Sequence, residues 1–161
     1  MNVSIRSARA TDLEFLVEGN AQMAAETEGR ELDREMLAEG VAAVFGDEAK
    51  GRYYVADDGE EPIGQLLVTR EWSDWRAGWF WWIQSVYVTP EARGRGVFAR
   101  LYAHLVDEAR RDPEVCGLRL YVDVDNAAAR AVYEHLGMDD AGYRVFEVDF
   151  RLERRSDRER G

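Results

Sequence analysis

The stretch "VYVTPEARGRGVFARLY", Val86 to Tyr102, carries the reading of the fold. It opens with β-branched and aromatic residues, as a strand prefers, and Thr89-Pro90 ends that run because proline offers no amide hydrogen. From Val97 the period changes. Val97, Phe98, Leu101, Tyr102, Leu105, Val106 and Ala109 recur at helical spacing, and the helix is expected to finish before Pro113. Between strand and helix lie Gly94 and Gly96. Closely spaced glycines let a backbone approach a ligand and turn several N–H groups the same way, and such a nest at a helix N-terminus suits a pyrophosphate. Arg93, Arg95 and Arg100 would add charge-assisted contacts. The plainer alternative is that the two glycines only shape the entry to the helix.

Other phosphate-binding patterns fit less well. A Walker loop ends in Gly-Lys-Ser or Gly-Lys-Thr, and the only lysine, Lys50, lies elsewhere. "GRGVFA" satisfies the loose dinucleotide pattern G-x-G-x-x-A, but "TPEAR" separates Val88 from Gly94 where that fold turns tightly. The acid that should end the next strand is also misplaced, since Glu114 precedes it.

Upstream of the loop, "VSIRSA" alternates as a strand. Thr11 with Glu14 reads as a capping box for a helix over "DLEFLVEGNAQMAAE". A second helix is expected from Asp33 to Phe45, stopped by Gly46. Two β-rich runs flank Asp58-Gly59, a hairpin signal, and "SDWRAG" turns the chain into "WFWWIQSVYV". Downstream, "GLRLYVDV" reads as a strand, "NAAARAVYEHLG" as a helix from an Asn cap to a Gly stop, and "YRVFEVDF" as a last strand. Strand, helix, strand at this spacing favours a parallel pair. The expected class is α/β (α+β), a mixed sheet flanked by helices.

At 161 residues and 46% hydrophobic the chain suits one domain, expected over 1–150 and followed by a charged tail over 151–161. The formal charge of -11 repels nucleic acid and is compatible with a cationic small-molecule partner or with plain solubility. No apolar run is long enough to span a membrane or to act as a signal h-region. One cysteine, Cys116, and two histidines, His104 and His135, give no metal-ligand spacing, so no metal is expected and the location is expected to be cytoplasmic.

"VYVTPEARGRGVFARLY" resembles the acetyl-CoA motif of the GNAT superfamily of N-acetyltransferases, with Arg93 and Gly96 in the motif positions and Phe98 in place of a small residue. Asn126 to Met138, "NAAARAVYEHLGM", resembles a second segment of the same family. The two motifs stand in the family's order, and the element order matches from Val3 to Phe150. The resemblance implies a mostly antiparallel sheet with a parallel strand pair that splays apart to admit acetyl-CoA, the cosubstrate.

The resemblance also supplies candidate site residues. Gly94, Arg95, Gly96, Val97, Phe98 and Ala99, with Arg93, would hold the CoA pyrophosphate. Val86, Tyr87 and Val88 would pair with the pantetheine amides, and an N–H near Val88 would face the developing oxyanion. Asn126 would both cap its helix and contact CoA. Tyr133 would be the general acid for the departing sulfur. The implied reaction is acetyl transfer to a primary amine of a small molecule or protein by direct attack, with a non-catalytic acyl-CoA sensor on the same fold as the alternative. The strand Trp79 to Val88 carries no carboxylate to serve as base, only Gln84 and Ser85. Glu26, Glu28, Glu31, Glu71 and Asp74 are candidates for binding a cationic amine, or are surface charges. The set Trp72, Trp75, Trp79, Trp81 and Trp82 either lines an apolar acceptor site or serves core and homodimer contacts.

Overall fold

The computed structural model describes residues 2–152. The chain divides into two compact units, one running to Asp123 and one from Val124 onward. The first holds a five-stranded sheet in the order β1 (Ser4–Ser7), β2 (Arg52–Asp57), β3 (Pro62–Ser73), β4 (Gly78–Val88) and β5 (Val115–Leu120). Pairing is antiparallel from β1 through β4 and parallel between β4 and β5. Three helices, α1 (Leu13–Glu28), α2 (Arg34–Gly46) and α3 (Val97–Arg111), complete this unit.

Strand alternation decides which helix each face receives. Tyr54, Ala56, Leu66, Val68 and Ile83 point one way and pack with Val97, Leu101 and Leu105 of α3. Tyr53 and Val55 point the other way, toward Leu16 of α1 and Val41 of α2. Leu101 and Leu105 are fully buried, and each contributes about 2 kcal/mol of apolar burial. Phe98 packs against the α3-face core, so its side chain belongs to helix packing.

The entry to α1 differs from the capping box expected at Thr11 and Glu14. A 3-10 turn over Ala10–Asp12 leads into the helix, and the amide of Arg9 donates to Asp12 Oδ2 at 2.7 Å. Thr11 lies inside that turn, where it cannot act as the cap. The reason is tertiary. Arg6 of β1 donates to both carboxylate oxygens of Asp12, at 2.7 and 3.0 Å, and to Asp57 at 3.0 Å. Asp33, by contrast, caps α2 as expected, accepting from Met36 N at 2.9 Å.

The Arg6 guanidinium holds the buried Asp12 carboxyl below the usual carboxylate range. A carboxyl with a lowered folded-state pKa contributes stability that is complete above the unfolded value, near pH 4, and is lost as pH falls through the folded value. Because Arg6 keeps some solvent contact, Asp12→Asn should cost about 2 kcal/mol at pH 7, less than the ~3–5 for a fully buried pair. Urea unfolding should show that gap narrowing below about pH 4; a gap unchanged down to pH 2 would exclude the ion pair as its source.

The second unit contains α4 (Ala127–His135), capped by Asn126 Oδ1, which accepts from Ala129 N at 3.0 Å, and followed by Gly137 at φ 90°. The strand expected over Tyr143 to Phe150 is absent: these residues form no strand, and Tyr143, Phe146 and Phe150 are exposed. A β pattern becomes a strand only when a second strand supplies the ladder, and among its described residues this unit has none. β5 likewise starts before and ends short of "GLRLYVDV", closing at Leu120. Of the expected tail, residues 153–161 lie outside the described residues.

Candidate active site

The site is built where β4 parts from β5. Parallel pairing runs from Trp79 opposite Val115 to Ile83 opposite Leu120 and stops, while β4 continues to Val88. Immediately beyond the last pair, Leu67 faces Gln84 but Gln65 faces Tyr87, so Ser85 and Val86 together oppose Leu66. This is a β-bulge, and Ser85 sits in it at φ 53°. A non-glycine residue there costs on the order of 1–2 kcal/mol and must be held by its surroundings. The extra residue also resets the side-chain alternation. Val86 and Val88 return to the α3-face core, and Tyr87 comes close to Gly19 of α1. Beyond Ile83, the β5-side edge of β4 has no strand partner among the described residues.

From Val88 the chain passes through a 3-10 turn, Pro90–Ala92, into the glycine loop. Gly94 and Gly96 have φ of 72° and 74°, the left-handed region that disfavours side chains, and a Cβ at either would meet nothing within 4 Å. The loop therefore needs glycine for its backbone, and the space before it is open. Gly96 precedes α3, and the first internal bond of the helix runs from Arg100 N to Gly96 O at 3.1 Å. The first-turn amides of Val97 and Ala99 thus have no acceptor within the helix, and the helix dipole adds to their preference for an anion.

The three arginines do not behave alike. Arg93 Nε donates to Val88 O at 3.0 Å and Arg93 Nη2 to Glu26 at 2.8 Å, with its guanidinium over the Tyr87 ring. It ties the end of β4 to α1. Arg95 and Arg100 are exposed and form no ion pair among the described residues, so they are the loop's available cations.

A match to the GNAT acetyltransferase family model spans residues 14–138 of the chain. The chain belongs to the GNAT acetyltransferase family. It is 42% identical to a possible acetyltransferase from Clostridium difficile 630, whose crystal structure superposes with a TM-score of 0.86 over 92% of this chain and 98% of that one. A predicted acetyltransferase from Clostridium acetobutylicum, solved with acetyl-CoA, shares the fold at 19% identity, with a TM-score of 0.73 over 92% of this chain and 96% of that one. The mycothiol acetyltransferase of Kocuria rhizophila is 41% identical over 61 residues, which are 35% of this chain and only 18% of that protein.

Within the GNAT chain, residues 86–99 come together on the first unit, while Asn126 caps α4 of the second and Tyr133 lies in that helix. Tyr133 is half-buried, and burial raises its hydroxyl above the ordinary phenol range. Most candidate amine-binding acids are already engaged. Glu26 pairs with Arg93, Glu28 with Arg30 at 3.6 Å and Glu71 with Arg119 at 2.7 Å, and Asp74 accepts from Trp75 N. Glu31 lines a cleft of about 510 Å³ with Glu18, Gln22, Arg30 and Arg34, between α1 and α2. The tryptophans do not form one wall. Trp81 packs on the α3-face core, Trp82 lies against the Tyr121 ring, Trp72 meets Trp79 edge-on, and Trp75 is 84% exposed.

Two arrangements were not expected from the sequence. Tyr54, on the α3 face, donates its hydroxyl to Glu108 at 2.5 Å and lies edge-on to His104; burial and the carboxylate push the phenol up to about 12. The i, i+4 spacing of His104 and Glu108 was the available signal. The other is Gln65, fully buried in β3 with a bond to Ser85 O. Its sign was a lone amide inside the apolar run "PIGQLLV".

Proposed function

We propose that the protein transfers acetyl from acetyl-CoA to a primary amine of a small molecule or protein, by direct attack. The observation that carries this reading is the open edge of β4 beyond the Ser85 bulge, next to the glycine loop and the first turn of α3. The strand edge suits an extended chain of amides and the loop a pyrophosphate, and CoA joins those two chemistries in one molecule. Val86, Tyr87 and Val88 bind the first, and Gly94, Arg95, Gly96, Val97, Phe98, Ala99 and Arg100 the second. The family match crosses from one unit into the other, which supports treating 1–150 as one acetyltransferase domain.

In the reaction the neutral amine forms a bond to the thioester carbonyl carbon, the C–S bond breaks, the amine loses a proton and the sulfur gains one. A backbone N–H near Val88 meets the oxyanion, and Tyr133 supplies the proton to sulfur. β4 offers no carboxylate base, and the Gln84 amide is engaged with Thr69 Oγ1 at 2.6 Å, so the amine's proton leaves to water.

That missing carboxylate also motivates the second reading, a non-catalytic acyl-CoA sensor. Both readings require binding. At a ligand concentration about a hundredfold above Kd, acetyl-CoA should add about 2.7 kcal/mol to stability, a rise of about 6 °C in Tm, and NAD should add less. No rise with acetyl-CoA would remove both readings, and tighter NAD binding would restore the dinucleotide alternative. Thiol release that requires an added amine then separates enzyme from sensor.

A further inference from the structure

Gln65 lies on the α1 side of β3, directly opposite Tyr87, with no exposed surface. Its amide nitrogen faces two carbonyls, Leu16 O of α1 and Ser85 O of the bulge, each at 3.4 Å. Both neighbours are acceptors, so the nitrogen rather than the oxygen must face them, and the orientation of the amide is settled by chemistry. The other end, Oε1, is buried without a hydrogen-bond partner among the described residues. It lies against Gly19, where a Cβ would come within 2.3 Å of Oε1 and 2.8 Å of Cδ. The helix has a glycine where this amide needs room. An amide that leaves one of its own atoms unsatisfied is an expensive way to fill a core, and its specific product is the pair of bonds that links α1 to Ser85, the bulge residue in the left-handed region.

We propose that Gln65 is a positioning residue: through the Ser85 carbonyl it holds the β4 bulge, and so keeps the edge Val86–Val88 open toward the acyl donor. The consequence for binding rests on the acetyl-transfer reading; the clamp itself does not. Gly19 and Ser85 belong to the same device, one making room for the amide and the other carrying the conformation it restrains.

The test uses the whole chain. Gln65→Met keeps side-chain length and removes the donor. In the ligand-free protein, amides in the segment Ser85–Val88 should exchange about tenfold faster, and acetyl-CoA affinity should fall by about tenfold, the loss expected when a hydrogen bond to a part-buried carbonyl is removed. Ser85→Gly removes the need for restraint, so in the Gln65→Met background it should recover part of both losses, about threefold or more. A packing role would not respond to Ser85. Should Gln65→Met fail to fold, Gly19→Ala carries the same expectations. Alanine is the better helix former, yet its methyl group displaces the amide. A folded Gln65→Met or Gly19→Ala protein with wild-type exchange and affinity overturns the proposal. Faster exchange in a protein whose wild type does not bind acetyl-CoA leaves the clamp standing and removes only the acetyl-transfer reading.

Discussion

Tyr133→Phe is expected to lower turnover by roughly 10²- to 10⁴-fold while acetyl-CoA affinity stays near wild type, the range for losing a positioned general acid. Phenylalanine keeps the ring and removes the hydroxyl, and with it the proton donor. A phenol is protonated at neutral pH, and burial, which disfavours the phenolate, keeps it so while making it a weaker acid. Its protonated form is lost only as pH rises through the raised value, so any kcat limb due to Tyr133 must fall on the alkaline side. The measurement requires saturating substrates and a chemistry-limited step, because weakened binding or slow product release would each disguise the result. Wild-type turnover in the phenylalanine variant would take Tyr133 out of the mechanism and leave water to protonate the thiolate.

Gly96→Asp should weaken acetyl-CoA binding by roughly 10²-fold, since it sets a carboxylate in the open space before the first turn of α3. The variant should fold. Nothing lies within 4 Å of a Cβ at this position, and aspartate tolerates a positive φ better than most residues. Gly96→Asn has the same shape without the charge, so the difference between the two isolates the electrostatic part. Isothermal titration of both variants checks this. Equal, wild-type affinity in both would mean that no phosphate sits against this loop.

The glycine loop was legible because its cause is local. Two residues at positive φ before an amphipathic run leave few alternatives, and the Asp58-Gly59 turn and the Asn126 cap are equally self-contained. What escaped depends on partners distant in the chain. Thr11 and Glu14 have the spacing of a capping box, yet Arg6, itself held by Asp57, recruits Asp12 instead. Nothing local to Arg93 shows that Glu26, 67 residues away, accepts from its guanidinium. Serine carries no sign that it will adopt φ 53°, and the bulge at Ser85 is visible only once β3 and β4 are paired. "YRVFEVDF" has a strand's alternation, but the pattern says nothing about whether a pairing strand exists. Within the candidate site, the positive-φ glycine loop could be read from sequence; the bulge in β4 and the side chains around it could not.

The most direct test of the account is to incubate the protein with acetyl-CoA and a panel of aliphatic, aromatic and peptide amines, following free thiol together with the masses of amine and protein. The account predicts thiol release that depends on the amine, one acetylated amine for each thiol, and no acetyl group left on the protein. Tight acetyl-CoA binding without amine-dependent thiol release across the panel would contradict catalysis and leave the sensor reading in its place.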